Sequence, residues 1–351
     1  MGKAILLVEE ERCAVGLPSS LGFVHTRVIF SEALVTMMVL AANRRGFVLL
    51  CGMCLAGSIS QAQDLSPRAY VITPAHSNAI ILTYSFNDGS IFFDSTLPVK
   101  DASGRLNIPI VSYYHAFSFF GRSANITASQ PYAVGHFQGI VIGTEAKIYR
   151  SGLMDSVFRL SVNLKGGKAM SVKEFSSWRQ KTLLGASLKI VAPTGQYDPT
   201  KLITPGANRW ALKPEVGLSR RWDHCLLDVY GGVWFFTTNH EFFSHNQFSA
   251  GTSTLSQKPM GSLEMHVSYD VKPRLWASID GNYWYGGRTS INGVETTSLQ
   301  ANSRIGGTVS IPVSKHQSLK FSYSRGAVIR VGGNFHNVSV AWQYSWIGRP
   351  N

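Results

Sequence analysis

The chain has 351 residues, with 33 Lys and Arg against 20 Asp and Glu and a formal net charge of +13. Only 15% of it is charged and 44% is hydrophobic, whereas soluble globular domains carry about a quarter charged residues; an ordinary water-soluble fold is disfavoured. A bundle of membrane helices is excluded as well, because it needs several apolar runs of about 20 residues and the sequence offers a single short one. The basic charge comes with no nucleic-acid recognition motif, so nucleic acid is not expected as a partner.

In chain order, the first feature is a targeting segment. Residues 1–36, with acidic Glu9, Glu10 and Glu11, read as upstream sequence, and Met37 or Met38 as the natural start. Arg44 and Arg45 precede the apolar run Gly46 to Gly57, which has the length of a signal-peptide core and is too short to span a membrane. Ser60-Gln61-Ala62 supplies small residues at −3 and −1, so residues 37–62 are expected to be a signal peptide cut after Ala62. Residues 63–351 then form one domain. Cys13, Cys51 and Cys54 leave with the signal, and Cys225 alone remains, which allows no internal disulfide and no cysteine-based metal site.

Beyond residue 78 the chain breaks into alternating stretches separated by Gly, Pro, Asn, Asp and Ser. Candidate strands are 79–93, 107–120, 123–133, 153–165, 182–193, 209–221, 225–238, 263–271, 275–285, 299–311, 315–331 and 338–346. About twelve strands (10–14) predict an all-β fold, a transmembrane antiparallel up-and-down β-barrel. The stretch Lys165 to Lys181 contains Ser171 followed by Glu174, a capping-box pattern for a short helix. Asn239 to Pro259 reads as a polar, flexible loop. Both are expected on the long-loop side of the barrel, with the membrane surface as the other place for the helix.

If the apolar parity faces lipid, Arg159, Lys189, Arg209, Lys213, Glu215, Asp228, Glu264, Asp270, Asp280, Arg304, Lys320 and Arg330 fall on the opposite face. Arg220 and Arg325 are the exceptions, near strand ends where a lipid-facing charge costs little. A soluble sandwich also alternates, but the polar parity here is rich in Ser, Thr, Asn and Gly rather than Lys and Glu. Trp210, Tyr269, Tyr283, Tyr285, Trp342 and Trp346 sit near strand ends on the apolar parity, as interfacial girdles do. Inward Tyr230, Trp234, Trp276 and Trp284 either offer stacking surfaces to ring-containing solutes or fill a narrow lumen.

Two blocks are more specific than this pattern. Ala192-Pro193-Thr194-Gly195-Gln196-Tyr197-Asp198-Pro199 is followed by Gly206-Ala207-Asn208-Arg209-Trp210-Ala211-Leu212-Lys213-Pro214-Glu215-Val216-Gly217. They resemble the outer-membrane family linked to transport in the meta-pathway of phenol degradation. The resemblance extends more weakly through Ser151 to Asp155 and Val233 to Asn239; Thr204 and Pro205 depart from the family pattern. It implies a channel or uptake role for aromatic compounds in a Gram-negative outer membrane, and it carries no established binding residues.

The expected lumen-lining set is Arg159, Lys189, Arg209, Lys213, Glu215, Arg304, Arg330, Trp234 and Trp276. Mixed charges in a lumen either brace the wall or select solute, and basic rings favour anions such as aromatic carboxylates. Expected partners are outer-membrane lipid, lipopolysaccharide, the barrel-assembly machinery and a small solute; no cofactor is expected. Two other classes stand beside the channel. One is a passive structural or adhesive barrel. The other is a barrel hydrolase built on His266, Ser268 and Asp270, weakened because residues two apart on one strand face lie about 7 Å apart, too far for a direct hydrogen bond between nucleophile and base.

Overall fold

The computed structural model describes residues 65–92, 99–141, 144–201, 203–243 and 252–348. The upstream segment, the signal peptide and its cut therefore lie outside the described residues. The elements in order are β1 (Ser77–Phe92), β2 (Val99–Phe119), β3 (Arg122–Val141), β4 (Thr144–Leu153), β5 (Ser156–Lys165), helix α1 (Val172–Ser177), β6 (Thr182–Ala192), β7 (Ala211–Trp222) and β8 (Cys225–Phe236). They continue with β9 (Asn239–Phe242), β10 (Ser253–Gln257), β11 (Met260–Lys272), β12 (Leu275–Gly286), β13 (Thr289–Ile291), β14 (Val294–Glu295), β15 (Gln300–Pro312), β16 (Gln317–Val328) and β17 (Gly332–Ile347).

Twelve of these strands close an antiparallel ring in the order β1-β2-β3-β5-β6-β7-β8-β11-β12-β15-β16-β17 and back to β1. The seam runs from Ser77↔Ile347 to Phe92↔Gly332. Closure leaves no unpaired edge around the ring, the condition for a sheet in lipid. β4 is the thirteenth strand of the sheet. It pairs with the upper part of β3 (Tyr132↔Leu153 to Val141↔Thr144), while β5 pairs with the lower part (Ala124↔Val162 to Ser129↔Val157).

Alternation explains the burial. Ile80, Leu82, Val111, Tyr113, Leu160, Val216, Leu218, Leu263, Met265, Ile279, Phe321 and Val340 point outward and are exposed, as a lipid-facing belt requires. Trp210, Tyr269, Tyr283 and Tyr285 are exposed on the same side. Near the end of β17, Trp342, Tyr344 and Trp346 stack in a row, with ring centroids 6.3 and 5.9 Å apart. Arg220 and Arg325 are exposed outward; Arg220 lies over the Trp222 ring at 5.1 Å.

The two ends of the barrel differ. At one end, two-residue turns join β2 to β3 (Phe120, φ 48°; Gly121, φ 75°), β7 to β8 (Asp223, φ 51°) and β11 to β12 (Arg274, φ 66°); Ser77 and Ile347 of the seam are there too. Short turns mark the periplasmic side of such barrels. The loop carrying α1 is at this end, because it joins β5 at Lys165 to β6 at Thr182, beside the β2–β3 turn. That corrects the expectation that it belongs to the long-loop side. The capping box itself is present: Glu174 N–H donates to Ser171 Oγ (3.3 Å) and Ser171 N–H to Glu174 Oε2 (2.8 Å).

At the long-loop end, β9, β10, β13 and β14 form a second sheet in the order β14-β13-β10-β9. Within the segment Asn239 to Pro259, read as a flexible loop from sequence, the described residues include the strands β9 and β10, and β10 pairs with β13 of the β12–β15 connection. Three sequence boundaries also change. β2 starts near residue 99 and β3 runs on to Val141, and the stretch around 144–153 forms β4; Gly and Ala interruptions in 99–148 hide the alternation from a sequence reading.

Candidate functional site

The site is built around a segment that the strand pattern does not announce. Residues 65–76 precede β1 and lie inside the ring as an irregular strap. At its base, Ala75 N–H donates to Met170 O and His76 N–H to Ala116 O, both at 2.8 Å. Ile72 is buried against Met170 and Leu183, with Phe175 and Trp178 of the α1 loop packed on the cluster. Tyr70 is fully buried. Its hydroxyl donates to Glu215 Oε1 at 3.0 Å, and its ring meets Tyr230 edge-on at 5.0 Å.

The wall is shaped for that ring. Gly185 of β6 and Gly217 of β7 are direct partners in the ladder. A Cβ on Gly217 would stand 2.1 Å from Tyr70 Cε2, and one on Gly185 2.3 Å from Tyr70 Cδ1. Further along, the strap bends at Arg68, a non-glycine residue at φ 66°. Its backbone N–H donates to Asp228 Oδ2 (3.1 Å), its Nη1 pairs with Asp270 Oδ1 (2.7 Å), and its guanidinium lies 4.3 Å over the Trp276 ring. Arg221 shares Asp270 from the other side.

Beneath and beside the strap runs a belt of charges, passed from strand to strand. Arg159 Nη2 on β5 is 3.5 Å from Glu215 Oε1 on β7. Lys213 Nζ is 2.6 Å from both Glu215 Oε2 and Glu264 Oε1 on β11. His266 Nε2 faces Glu264 Oε2 at 3.7 Å, and its Nδ1 is 2.9 Å from Asp280 Oδ1 on β12. Thr308 Oγ1 on β15 donates to the other Asp280 oxygen at 2.8 Å. Buried charges persist when paired and hydrogen-bonded, and Lys213 and Glu215 are both buried and paired. The hydrolase reading finds no support here, since both nitrogens of His266 face carboxylates rather than Ser268.

A cavity of about 1450 Å³ fills the space between the strap and the opposite wall. That wall presents Ala79, Ile81, Thr83, Ser112, Thr127, Ser129 and Ala341, none charged. The remaining lining holds ten basic side chains, among them Arg159, Arg179, Lys189, Lys213 and Lys320, against three acidic ones, Glu215, Glu264 and Asp270. Such an excess in a confined path raises the local concentration of anions.

The structure separates the expected lining residues into two groups. Arg159, Lys189, Lys213, Glu215 and Trp276 border the cavity. Arg209, Arg304, Arg330 and Trp234 do not. Arg209 precedes β7, donates to Gln257 Oε1 (2.6 Å) and lies 4.9 Å over Phe236. Arg304 is buried and donates to Phe335 O (2.9 Å). Arg330 is exposed in the connection between β16 and β17, where strand pairing has stopped and parity no longer fixes direction. Trp234 faces inward but is packed with Met260 and Trp284 toward the long-loop end; Lys189 and Lys213 Nζ approach its ring to 5.9 and 5.8 Å.

The two specific sequence blocks form a clasp at the long-loop end. Asp155, buried between β4 and β5, accepts the Gly195 N–H on Oδ1 and the Ala207 N–H on Oδ2, both at 2.9 Å. It thereby holds the two ends of the 193–210 loop together. Gly195 and Gly206 touch so closely that a Cβ on either would stand 2.8 Å from the other's backbone. Asn208 takes φ 52°, which Asn tolerates, and donates to Asn239 Oδ1 (3.1 Å). Tyr197 OH donates to Glu241 O (2.8 Å), joining the loop to β9. Within β7, Pro214 has no N–H, and the β7–β8 ladder omits Lys213 and Pro214. Gly232 across the gap leaves room for Lys213, whose Cε is 3.0 Å from where a Cβ would be.

A closed ring of twelve antiparallel strands, apolar outside and lined by a basic cavity, defines a transmembrane β-barrel of the channel-like, outer-membrane type. The chain belongs to the family described as "Putative MetA-pathway of phenol degradation", whose model matches residues 70–344. Among solved structures, an outer membrane channel from Pseudomonas putida F1 is similar at TM-score 0.66 and 15% identity, covering 81% of this chain and 100% of that one. The shared feature is the fold. Two looser likenesses have no bearing on function. The β domain of the Bordetella autotransporter BrkA has TM-score 0.45 and 11% identity, covering 78% of this chain and 100% of that one. The Ralstonia pickettii toluene transporter TbuX has TM-score 0.39 and 9% identity, covering 78% and 90%. No curated protein matches the sequence.

Proposed function

We propose that this chain is an outer-membrane channel for small aromatic solutes, with a preference for those that carry negative charge. The observation that carries the reading is the lining of the 1450 Å³ cavity: ten basic side chains against three acidic, with Trp276 at its margin and an uncharged wall opposite. A ring stacks on apolar or aromatic surface while a carboxylate is drawn to the basic side. Family membership supports the aromatic part of the assignment. In this reading Lys189 and Lys320 act on the solute, while Lys213 and Glu215 hold the wall.

The same reading makes residues 37–62 a signal peptide cut after Ala62, with Gln63 as the mature N-terminus. It places the outward belt against lipid and lipopolysaccharide. The barrel-assembly machinery inserts the chain, guided by the aromatic strand Trp342 to Trp346. Purified protein in a planar bilayer under a salt gradient tests the channel. A reversal potential of anion-selective sign, and faster liposome swelling in benzoate than in benzylammonium, are expected. Cation preference overturns the charge assignment, and absence of conductance overturns the channel in favour of a passive barrel.

A further inference from the structure

The strap contacts the wall in a selective manner. Between β7 and β12, five carboxylates face the lumen: Glu215, Asp228, Glu264, Asp270 and Asp280. The strap engages three of them. Tyr70 OH donates to Glu215 at 3.0 Å, Arg68 N–H donates to Asp228 at 3.1 Å, and the Arg68 guanidinium pairs with Asp270 at 2.7 Å. The other two are held within the wall, Glu264 by Lys213 at 2.6 Å and Asp280 by His266 at 2.9 Å. Asp228 is wholly buried beneath the strap and does not border the cavity, whereas Glu215 and Asp270 border it with strap groups bonded to them.

We propose that residues 65–76 determine the charge selectivity of the pore by burying Asp228 and by bonding to Glu215 and Asp270, the carboxylates of the acidic sector of its wall. This rests on the channel reading given above. The barrel strands alone present a lumen of mixed sign. With the strap seated, solutes travel between it and the neutral wall of β1, β2 and β3, and the charges left in view are mainly basic. The strap is thus more than an obstruction: it narrows the path and changes its sign. Two features hold it in register. The ring of Tyr70 fits over Gly185 and Gly217, where no other residue leaves space. The bend at Arg68 takes a left-handed backbone that is unfavourable for a non-glycine residue, offset by the contacts to Asp228, Asp270 and Trp276.

The test is reversal potential and single-channel conductance for the full chain, for a variant lacking residues 65–75, and for Arg68→Ala/Tyr70→Ala, each checked for folding by heat-modifiable gel mobility. Loss of the strap is expected to raise conductance roughly twofold or more, since it opens cross-section. It should also reduce the chloride-over-potassium permeability ratio by about threefold or more, because Asp228 comes into view and Asp270 loses the Arg68 charge. Asp228→Asn/Asp270→Asn in the strap-less background should restore anion preference. Higher conductance at an unchanged reversal potential would overturn the proposal, leaving the strap a simple plug. So would failure of the Asn variants to restore preference. Should the strap-less chains not fold, Arg68→Ala alone keeps the Tyr70 and Ile72 anchors and must still weaken anion preference; if it does not, the proposal falls. A wild-type barrel without conductance would instead sink the channel reading, a result distinct from all of these.

Discussion

The side of the wall formed by β1, β2, β3 and β17 obeys the same alternation as the side formed by β5 to β8, β11 and β12, yet the two carry opposite kinds of inward residue. The first turns Ala79, Thr83, Ser112, Ser129 and Ala341 to the lumen. The second turns Arg159, Lys213, Glu215, Glu264, His266 and Asp280, tied into one belt. The strap lies against the charged side and leaves the neutral side open. Period-two alternation therefore fixes only which residues face inward. What they do depends on whether a neighbour covers them.

The largest effect expected from breaking this asymmetry is in the belt. Lys213→Met strands Glu215 and Glu264 without their shared cation, a loss of about 3–5 kcal/mol. It should appear as a lower urea midpoint for loss of heat-modifiable mobility; an unchanged midpoint would mean the belt does not brace the wall. Next is the strap socket. Gly217→Ala places a methyl 2.1 Å from the Tyr70 ring, so Tyr70 must shift, at a cost of about 1–3 kcal/mol. Faster proteolysis of the strap is the readout.

The neutral side offers a sharper and smaller test. Thr83→Glu adds a charge where nothing is braced, so stability should stay within about 0.5 kcal/mol. Anion preference should fall all the same, and an unmoved reversal potential would place the path elsewhere. The smallest effect belongs to the long-loop end, where Lys201, then Thr200, holds the Asp198 carboxyl down at about 2. Its contribution is complete above the ordinary carboxylate range and is lost as pH falls through about 2. Between pH 7 and 4 the proteolysis rate of the 193–210 loop should not change on this account, whereas Asp198→Asn should raise it at pH 7.

Much of the barrel was legible because lipid imposes a strict rule on each strand. Parity alone points Arg159, Lys213, Glu215 and Glu264 inward, and that is where they lie. Parity points Arg330 inward as well, yet it lies exposed, because it sits past the end of β16, where parity has no meaning. The strap was invisible for a different reason. It has no period, and its partners are remote in sequence: Arg68 meets Asp228 across 160 residues. One signal was available. Gly185 and Gly217 fall on the inward parity, directly opposed once β6 and β7 are paired. Two facing glycines in a lumen wall imply that something bulky lies over them. The family blocks were legible as a resemblance but not as a mechanism, since Asp155, which gives them their purpose, stands 40 residues before Gly195.

The clasp has a practical consequence for handling the protein. Asp155 fixes the loop at Gly195 and Ala207, so the residues between are a closed bight whose ends do not depend on its length. The entropy of closing such a loop grows slowly, about 0.6 kcal/mol for each doubling. An epitope or short peptide spliced between Thr200 and Lys201 would therefore be displayed at the long-loop face without disturbing the wall below. That makes the bight a natural graft point for fluorescent tags, affinity handles or surface-presented antigens.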